Sequence, residues 1–329
     1  MDDLSKALMP VIKEIIGKEV EGLNIEEKMT ALIKNVASKA TKVLEIKMDG
    51  SEKSTKLNLV HKQFEWLLNT VKIQGINTLL TGGAGLSKTT AVEQVALALQ
   101  LEMGSISFSN QTTKTDLMGF VDANGIYRPS SFVDCFEKGK IFLGDEMDAC
   151  SSNVLVLLNS AISNGFLELP NNKMIKAHDN FRFVGTANTN LKGSSNGFTA
   201  RNALDSATVD RFCVIVWELD LELEEKITSN AKWLKIVRTA RECANNNFED
   251  VAITPRASYD GAKLLKNGLS VLQVAEMVLF RGIGEDEKAT IMSSVMMLIN
   301  AYDGDSEEYE SDYEEETETE EETTRDGQW

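Results

Sequence analysis

The stretch Thr81-Gly82-Gly83-Ala84-Gly85-Leu86-Ser87-Lys88-Thr89-Thr90 constrains this chain more than any other. The apolar run Ile76-Asn77-Thr78-Leu79-Leu80 before it reads as a buried strand, and Ala91 through Leu99 after it has helical periodicity. A glycine-rich turn leading from a strand into a helix lets backbone N–H groups converge on phosphate oxygens. In the pattern G-x-x-x-x-G-K-[ST], Lys88 would reach the β/γ-phosphates and the Thr89 hydroxyl would ligate Mg²⁺. Ser87 stands where that pattern has glycine, whose value there is close backbone approach and a free φ. By itself the stretch is also compatible with a tight strand-to-helix turn carrying an exposed lysine. Acidic and polar strand ends further along the chain make nucleotide hydrolysis the leading expectation. Gly82, Gly83, Ala84, Gly85, Leu86, Ser87, Lys88, Thr89 and Thr90 form the binding loop.

About 55 residues later, Lys140-Ile141-Phe142-Leu143-Gly144-Asp145-Glu146 is an apolar strand ending in two acids. A buried strand that ends in a carboxylate needs a cation to meet it. Asp145 is therefore expected to hold Mg²⁺, directly or through water, and Glu146 to orient and deprotonate a water. Phe181 through Asn188 is a further strand ending in a polar group, and Asn188 can donate or accept near a γ-phosphate or cap a turn. Arg211, in Asp210-Arg211-Phe212, and Arg256, in Thr254-Pro255-Arg256-Ala257, offer bidentate contacts to phosphate, with surface salt bridges as the alternative.

Strand candidates at 77–81, 105–108, 140–144, 181–186 and 212–217 alternate with helices, the pattern of a parallel sheet covered on both faces. Helices are expected at 222–245, 256–266, 271–281 and 285–300, forming a smaller all-helical region. The expected organisation is an N-terminal helical segment and linker over 1–57, an α/β nucleotide-binding core over 58–219, a helical lid over 220–302 and a disordered acidic tail over 303–329. The first segment carries two amphipathic stripes, Leu4 to Ile16 and Ile25 to Val36, and residues 43–57 read as a linker or a short hairpin.

Charge and composition narrow the function classes. The last 27 residues hold 14 acids and one arginine, which is −13 of the net −17, so the body is nearly neutral. That balance argues against a nucleic-acid partner. No apolar run approaches the roughly 20 residues that span a bilayer, and Met1-Asp2-Asp3-Leu4 does not resemble a signal peptide. A cytoplasmic protein is expected, in the host cytoplasm if phage-encoded. Cys135, Cys150, Cys213 and Cys243 match no metal pattern and are expected to be reduced.

The ordered set of loop, Asp145-Glu146, Thr186-Ala187-Asn188, Asp210-Arg211-Phe212 and Pro255-Arg256-Ala257 resembles an AAA+ ATPase. It is similar in particular to the branch of MoxR-type ATPases and the CobS-like small subunit of cobaltochelatase. Asp116 to Asp122, Gly144 to Ala149, Thr186 to Asn190 and Gly197 to Phe212 carry that likeness. The resemblance implies ATP and Mg²⁺ as cofactors, Walker A at Gly82, Gly85, Lys88 and Thr89, and Walker B at Asp145 and Glu146. It implies sensor 1 at Asn188, sensor 2 at Arg256 on the lid, and an arginine finger acting on a neighbouring subunit at Arg211, with Arg201 a second candidate. It further implies a homo-oligomeric ring, a hexamer, acting on a protein substrate or on a von Willebrand-type or chelatase-like partner. Residues 119–130 and 166–180 fit hairpin insertions that line the pore in that branch, with Ile126, Tyr127 and Arg128 as substrate contacts, or two solvent-exposed turns. Two rival readings are the motor subunit of a metal chelatase and a nucleotide-responsive scaffold with little turnover.

Overall fold

The computed structural model describes residues 44–47, 54–193 and 201–302. The amphipathic stripes of 1–40, the acidic tail and residues 197–200 of the Gly197 to Phe212 stretch lie outside the described residues. The short hairpin read as one option for 43–57 is present, as β1 (Leu44–Lys47) paired antiparallel with β2 (Ser54–Leu57).

The core is a five-stranded parallel sheet. Its strands are β3 (Thr78–Thr81), β4 (Met103–Ser107), β7 (Ile141–Asp145), β10 (Arg182–Ala187) and β11 (Cys213–Val216). In space they run β11-β3-β10-β7-β4, so β3 and β10 adjoin and their C-terminal ends lie side by side, Ala187 opposite Thr81. The boundaries match the expected strands to within one or two residues. β4 begins earlier than expected because, as an edge strand, it pairs with β7 from Met103 opposite Ile141.

Successive side chains of a strand point to opposite faces, and both faces here are apolar. Leu79, Phe142 and Phe183 face one core, with Phe132 and Phe136 of α4 (Ser131–Lys138) and Val154, Leu155 and Leu158 of α5 (Ser152–Asn164). The Phe132 and Phe142 rings meet edge to face at 5.0 Å, the arrangement that ring quadrupoles favour. Leu80, Leu143, Val184 and Ile215 face the other core. There they meet Phe64, Leu67 and Val71 of α1 (Phe64–Lys72) and Val92, Val95 and Ala96 of α2 (Lys88–Leu99).

Between α2 and α4 lie the short α3 (Lys114–Met118) and the hairpin of β5 (Phe120–Val121) with β6 (Tyr127–Arg128). A second hairpin, β8 (Phe166–Glu168) with β9 (Met174–Lys176), follows α5. Both occupy the stretches expected to form insertions. The short helix α6 (Ser206–Val209) leads into β11.

The C-terminal helices have a core of their own, built on Trp233, Val237, Ala257, Val274 and Ile291. They are α7 (Leu221–Thr228), α8 (Ala231–Asn247), α9 (Pro255–Lys266), α10 (Val271–Val278) and α11 (residues 285–302). The single helix expected over 222–245 is two. Ser229 takes a left-handed conformation (φ 53°) and the Asn230 side chain accepts from Trp233 N at 3.0 Å, which ends one helix and caps the next. No helix among the described residues is long and apolar enough to cross a membrane. The four cysteines are free thiols.

Candidate active site

The loop between β3 and α2 is shaped by close backbone approaches. A Cβ on Gly82 (φ 156°) would lie 2.3 Å from the Trp217 carbonyl oxygen, so only glycine fits. Trp217 closes the loop from outside, donating its indole N–H to Leu86 O at 3.0 Å and stacking on His61 with ring centroids 4.1 Å apart. Ser87 is left-handed (φ 62°, ψ 29°) and its side chain makes no capping bond, so the position is one that glycine would occupy without strain. The backbone N–H groups of residues 83–87 donate to no acceptor among the described residues, leaving a ring of free donors at the start of α2.

Lys88 is buried beneath this loop. Its ammonium donates to Gly82 O at 2.7 Å, Gly83 O at 2.8 Å and Asn188 Oδ1 at 2.9 Å. Burial lowers its pKa to about 8, against the opposing pull of Asp145, Asp148 and Glu146. Thr89 donates to Asp145 Oδ2 at 3.2 Å, and Thr186, on the neighbouring strand, donates a short hydrogen bond to Asp145 Oδ1. Thr90 begins the exposed side of α2, away from this cluster of polar contacts.

Glu146, left-handed at φ 58°, turns its carboxylate back over the strand ends. Its Oε1 accepts from Asn188 Nδ2 at 3.0 Å, and its Oε2 accepts from both terminal nitrogens of Arg201 at 3.2 Å. Arg201 also reaches Asp148 Oδ1 at 3.3 Å. Asp148, fully buried, accepts in turn from Asn188 N at 3.0 Å and Thr189 Oγ1 at 2.9 Å. Asp148 and Thr186 lie in stretches that carry the resemblance, but sequence reasoning gives neither a role of its own. An acid two residues after Glu146 is the only local signal for the first, and the second shows itself only once β7 and β10 are neighbours.

The arginines divide by position. Arg201, a candidate for contact with a neighbouring subunit, grips Glu146 and Asp148 of its own chain, because the residue after it is tied back through Asn202 N to Asp148 O at 2.7 Å. Arg211 lies away from the loop, donating from Nε to Ser163 Oγ at 2.8 Å and from a terminal nitrogen to Ala207 O. Arg256 projects from the first turn of α9 onto the loop, where a Cβ on Gly85 would lie 3.3 Å from Arg256 Cγ. Its guanidinium has no hydrogen-bond or ion-pair partner among the described residues. Beside it the Thr254 hydroxyl is buried with no partner among them.

Free donors, a buried ammonium, an unpartnered arginine and an orphaned hydroxyl around one concave loop fit a polyphosphate. Residues 77–212 match the family model of the AAA domain, dynein-related subfamily. This segment is an AAA domain. The chain carrying it is an ATPase, with the parallel sheet and C-terminal helices of an AAA+ P-loop NTPase. Among solved structures, the AAA domain and its helices are similar to NtrX from Brucella abortus. That match has a TM-score of 0.44 and 13% identity, covering 85% of this chain and 58% of that one. They are also similar to a RuvB mutant from Thermotoga maritima, with a TM-score of 0.44 and 20% identity, covering 66% of this chain and 67% of that one.

Proposed function

We propose that the chain hydrolyses ATP with Mg²⁺ at the β3–α2 loop and uses the cycle to remodel or load a partner protein. In this reading residues 58–219 are the catalytic core and 220–302 its lid. The observation that carries it is the convergence of Lys88, Thr89, Asp145, Glu146 and Asn188 on one loop from three adjacent strands.

The loop N–H groups of residues 83–87, together with Lys88, would bind the phosphates, and Arg256 would meet the γ-phosphate from the lid side. Thr89 and Asp145 would hold Mg²⁺, which needs only one or two protein oxygens when phosphates and waters complete its shell. The ion would neutralise charge on the β- and γ-oxygens. Glu146 would accept a proton from the water whose oxygen attacks the γ-phosphorus in line, as the bond to the β-bridging oxygen breaks and ADP leaves. Asn188, bonded to both Lys88 and Glu146, would align the nucleophile with the phosphate. Glu146 is engaged by Arg201 and Asn188, and its Oε1, which among the described residues accepts only from Asn188, keeps a lone pair for a water.

Arg211 would complete a neighbour's site in a closed ring, since head-to-tail contacts terminate by cyclic symmetry. The two hairpins would contact the partner. Their Phe120, Ile126, Phe166 and Met174 are all at least half exposed, an apolar display that suits protein contact. The finer placing among MoxR-type and CobS-like ATPases rests on the motif set in the sequence.

The test is steady-state ATPase rate against protein concentration. Wild-type specific activity should rise with concentration, Glu146→Gln should lose at least about 10²-fold while still binding ATP, and Arg211→Ala should lose the concentration dependence. A wild type with concentration-independent turnover would remove the ring from this reading.

A further inference from the structure

The C-terminal helices contain a charge cluster that takes no direct part in the chemistry at the phosphate loop. Glu224 of α7 is completely buried. Its Oε1 accepts from Arg241 at 2.6 Å and from Ser258 Oγ at 2.7 Å, and its Oε2 from Arg241 at 3.2 Å and Arg238 at 3.4 Å. Arg241 of α8 uses its remaining nitrogen, Nε, to donate to Ile253 O at 2.8 Å. Burial on its own would raise the Glu224 pKa, yet hydrogen bonds from Arg241 and Ser258 and the arginine charges hold it below the usual value.

What this cluster holds is a particular piece of backbone. Ile253 and Ser258 bracket Thr254-Pro255-Arg256, the start of α9. One buried fork thus fixes that start on both sides, the carbonyl before it and the side chain after it. The same few residues carry Arg256 and Thr254 against Gly85 of the phosphate loop. The anchor itself is tied to the core. The first residue before α7, Asp220, accepts from Leu223 N at 3.0 Å and from Lys62 N at 2.6 Å, across the junction between sheet and C-terminal helices.

A buried ion pair is weak grounds for stability, because desolvation offsets most of the attraction; its geometry can instead specify a position. We propose that Glu224 and Arg241 are positioning residues for ATP hydrolysis, holding the start of α9 so that Arg256 meets the nucleotide. Glu224 sits below α9 as a fixed anchor, and Arg241 converts that anchor into a defined height and tilt of the first turn. This inference rests on the reading of Arg256 as a phosphate contact.

The experiment is a double-mutant cycle on the full chain, with Glu224→Gln and Ser258→Ala each made in the wild type and in Arg256→Ala. Steady-state kcat and KM for ATP would be measured, together with the thermal midpoint without nucleotide. Ser258→Ala removes one hydrogen bond and keeps the ion pair, so it carries the test if Glu224→Gln fails to fold. Expected is a rise of at least about fivefold in KM for ATP in the wild-type background and less than about twofold in Arg256→Ala, the coupling of residues that act through one another. An equal loss in both backgrounds would overturn the positioning role while leaving Arg256 as a nucleotide contact. An Arg256→Ala protein with unchanged kcat and KM would overturn the reading of Arg256 and this inference with it.

Discussion

The guanidinium of Arg201 lies 3.2 Å from the Glu146 carboxylate of the same chain, and it bridges that carboxylate to the fully buried Asp148. Arg201→Ala therefore removes a charge partner from a buried acid, and stability should fall by about 1–3 kcal/mol. Because the contact lies within one chain, the accompanying change in turnover should be the same at every protein concentration. Denaturant unfolding and a concentration series would check both. A loss confined to concentrations at which subunits assemble would instead assign Arg201 to the neighbour's site.

Ser87 is left-handed without a side-chain bond to compensate. A non-glycine residue there costs about 1–2 kcal/mol, part of which glycine gives back through its freer unfolded chain. Ser87→Gly should raise unfolding stability by about 1 kcal/mol and leave ATP affinity equal or tighter. Urea titration with and without nucleotide measures both, and a destabilised Ser87→Gly protein would refute the strain argument.

Gly82 meets the Trp217 carbonyl so closely that no side chain fits. Gly82→Ala must push Trp217 outward, and Trp217 also carries the bond to Leu86 that closes the loop. The expected loss is about 1–3 kcal/mol of stability, with a change in Trp fluorescence and weaker ATP binding. Unaltered fluorescence and affinity would mean that the loop has more room than this packing allows.

Without nucleotide, the pKa of Lys88 is lowered to about 8 by burial. A polyphosphate beside it stabilises the ammonium and raises that pKa, so ATP binding takes up a proton once the pH exceeds about 8. ATP affinity should consequently weaken as the pH rises through about 8 and be level below it. Lys88→Arg, charged throughout, should abolish this slope even if it binds less tightly. Calorimetric titration above that pKa, in two buffers of different ionisation enthalpy, would count the proton directly, and a zero count would contradict the argument.

The parts of the site that lie on one short segment are legible without the structure. Thr81 to Thr90 declares itself because glycines, lysine and threonine are adjacent. Asp145 and Asn188 do so because each is polar at the end of an apolar strand. The sheet is legible for the same reason: apolar runs such as Ile141-Phe142-Leu143 have no stable place except between two apolar layers. The break of the long C-terminal helix at Ser229 is hidden because serine and asparagine are tolerated inside helices, and only the cap on Trp233 shows that a new helix starts there.

What the sequence by itself determined was the placing of the parts: glycines, lysine and threonine between a strand and a helix, two acids at a strand end, and a parallel sheet to hold both. The tertiary structure alone decided which groups touch. Asp148 reaches Asn188 and Arg201 because β7 and β10 are adjacent. Trp217 closes a loop 131 positions before it because β11 lies beside β3. Glu224 meets Arg241 and Ser258, 17 and 34 positions away, because three helices pack together. Local patterns record which face a residue presents and what it can bond. Partners distant in the chain are fixed by the order of strands and the packing of helices, which no single segment contains.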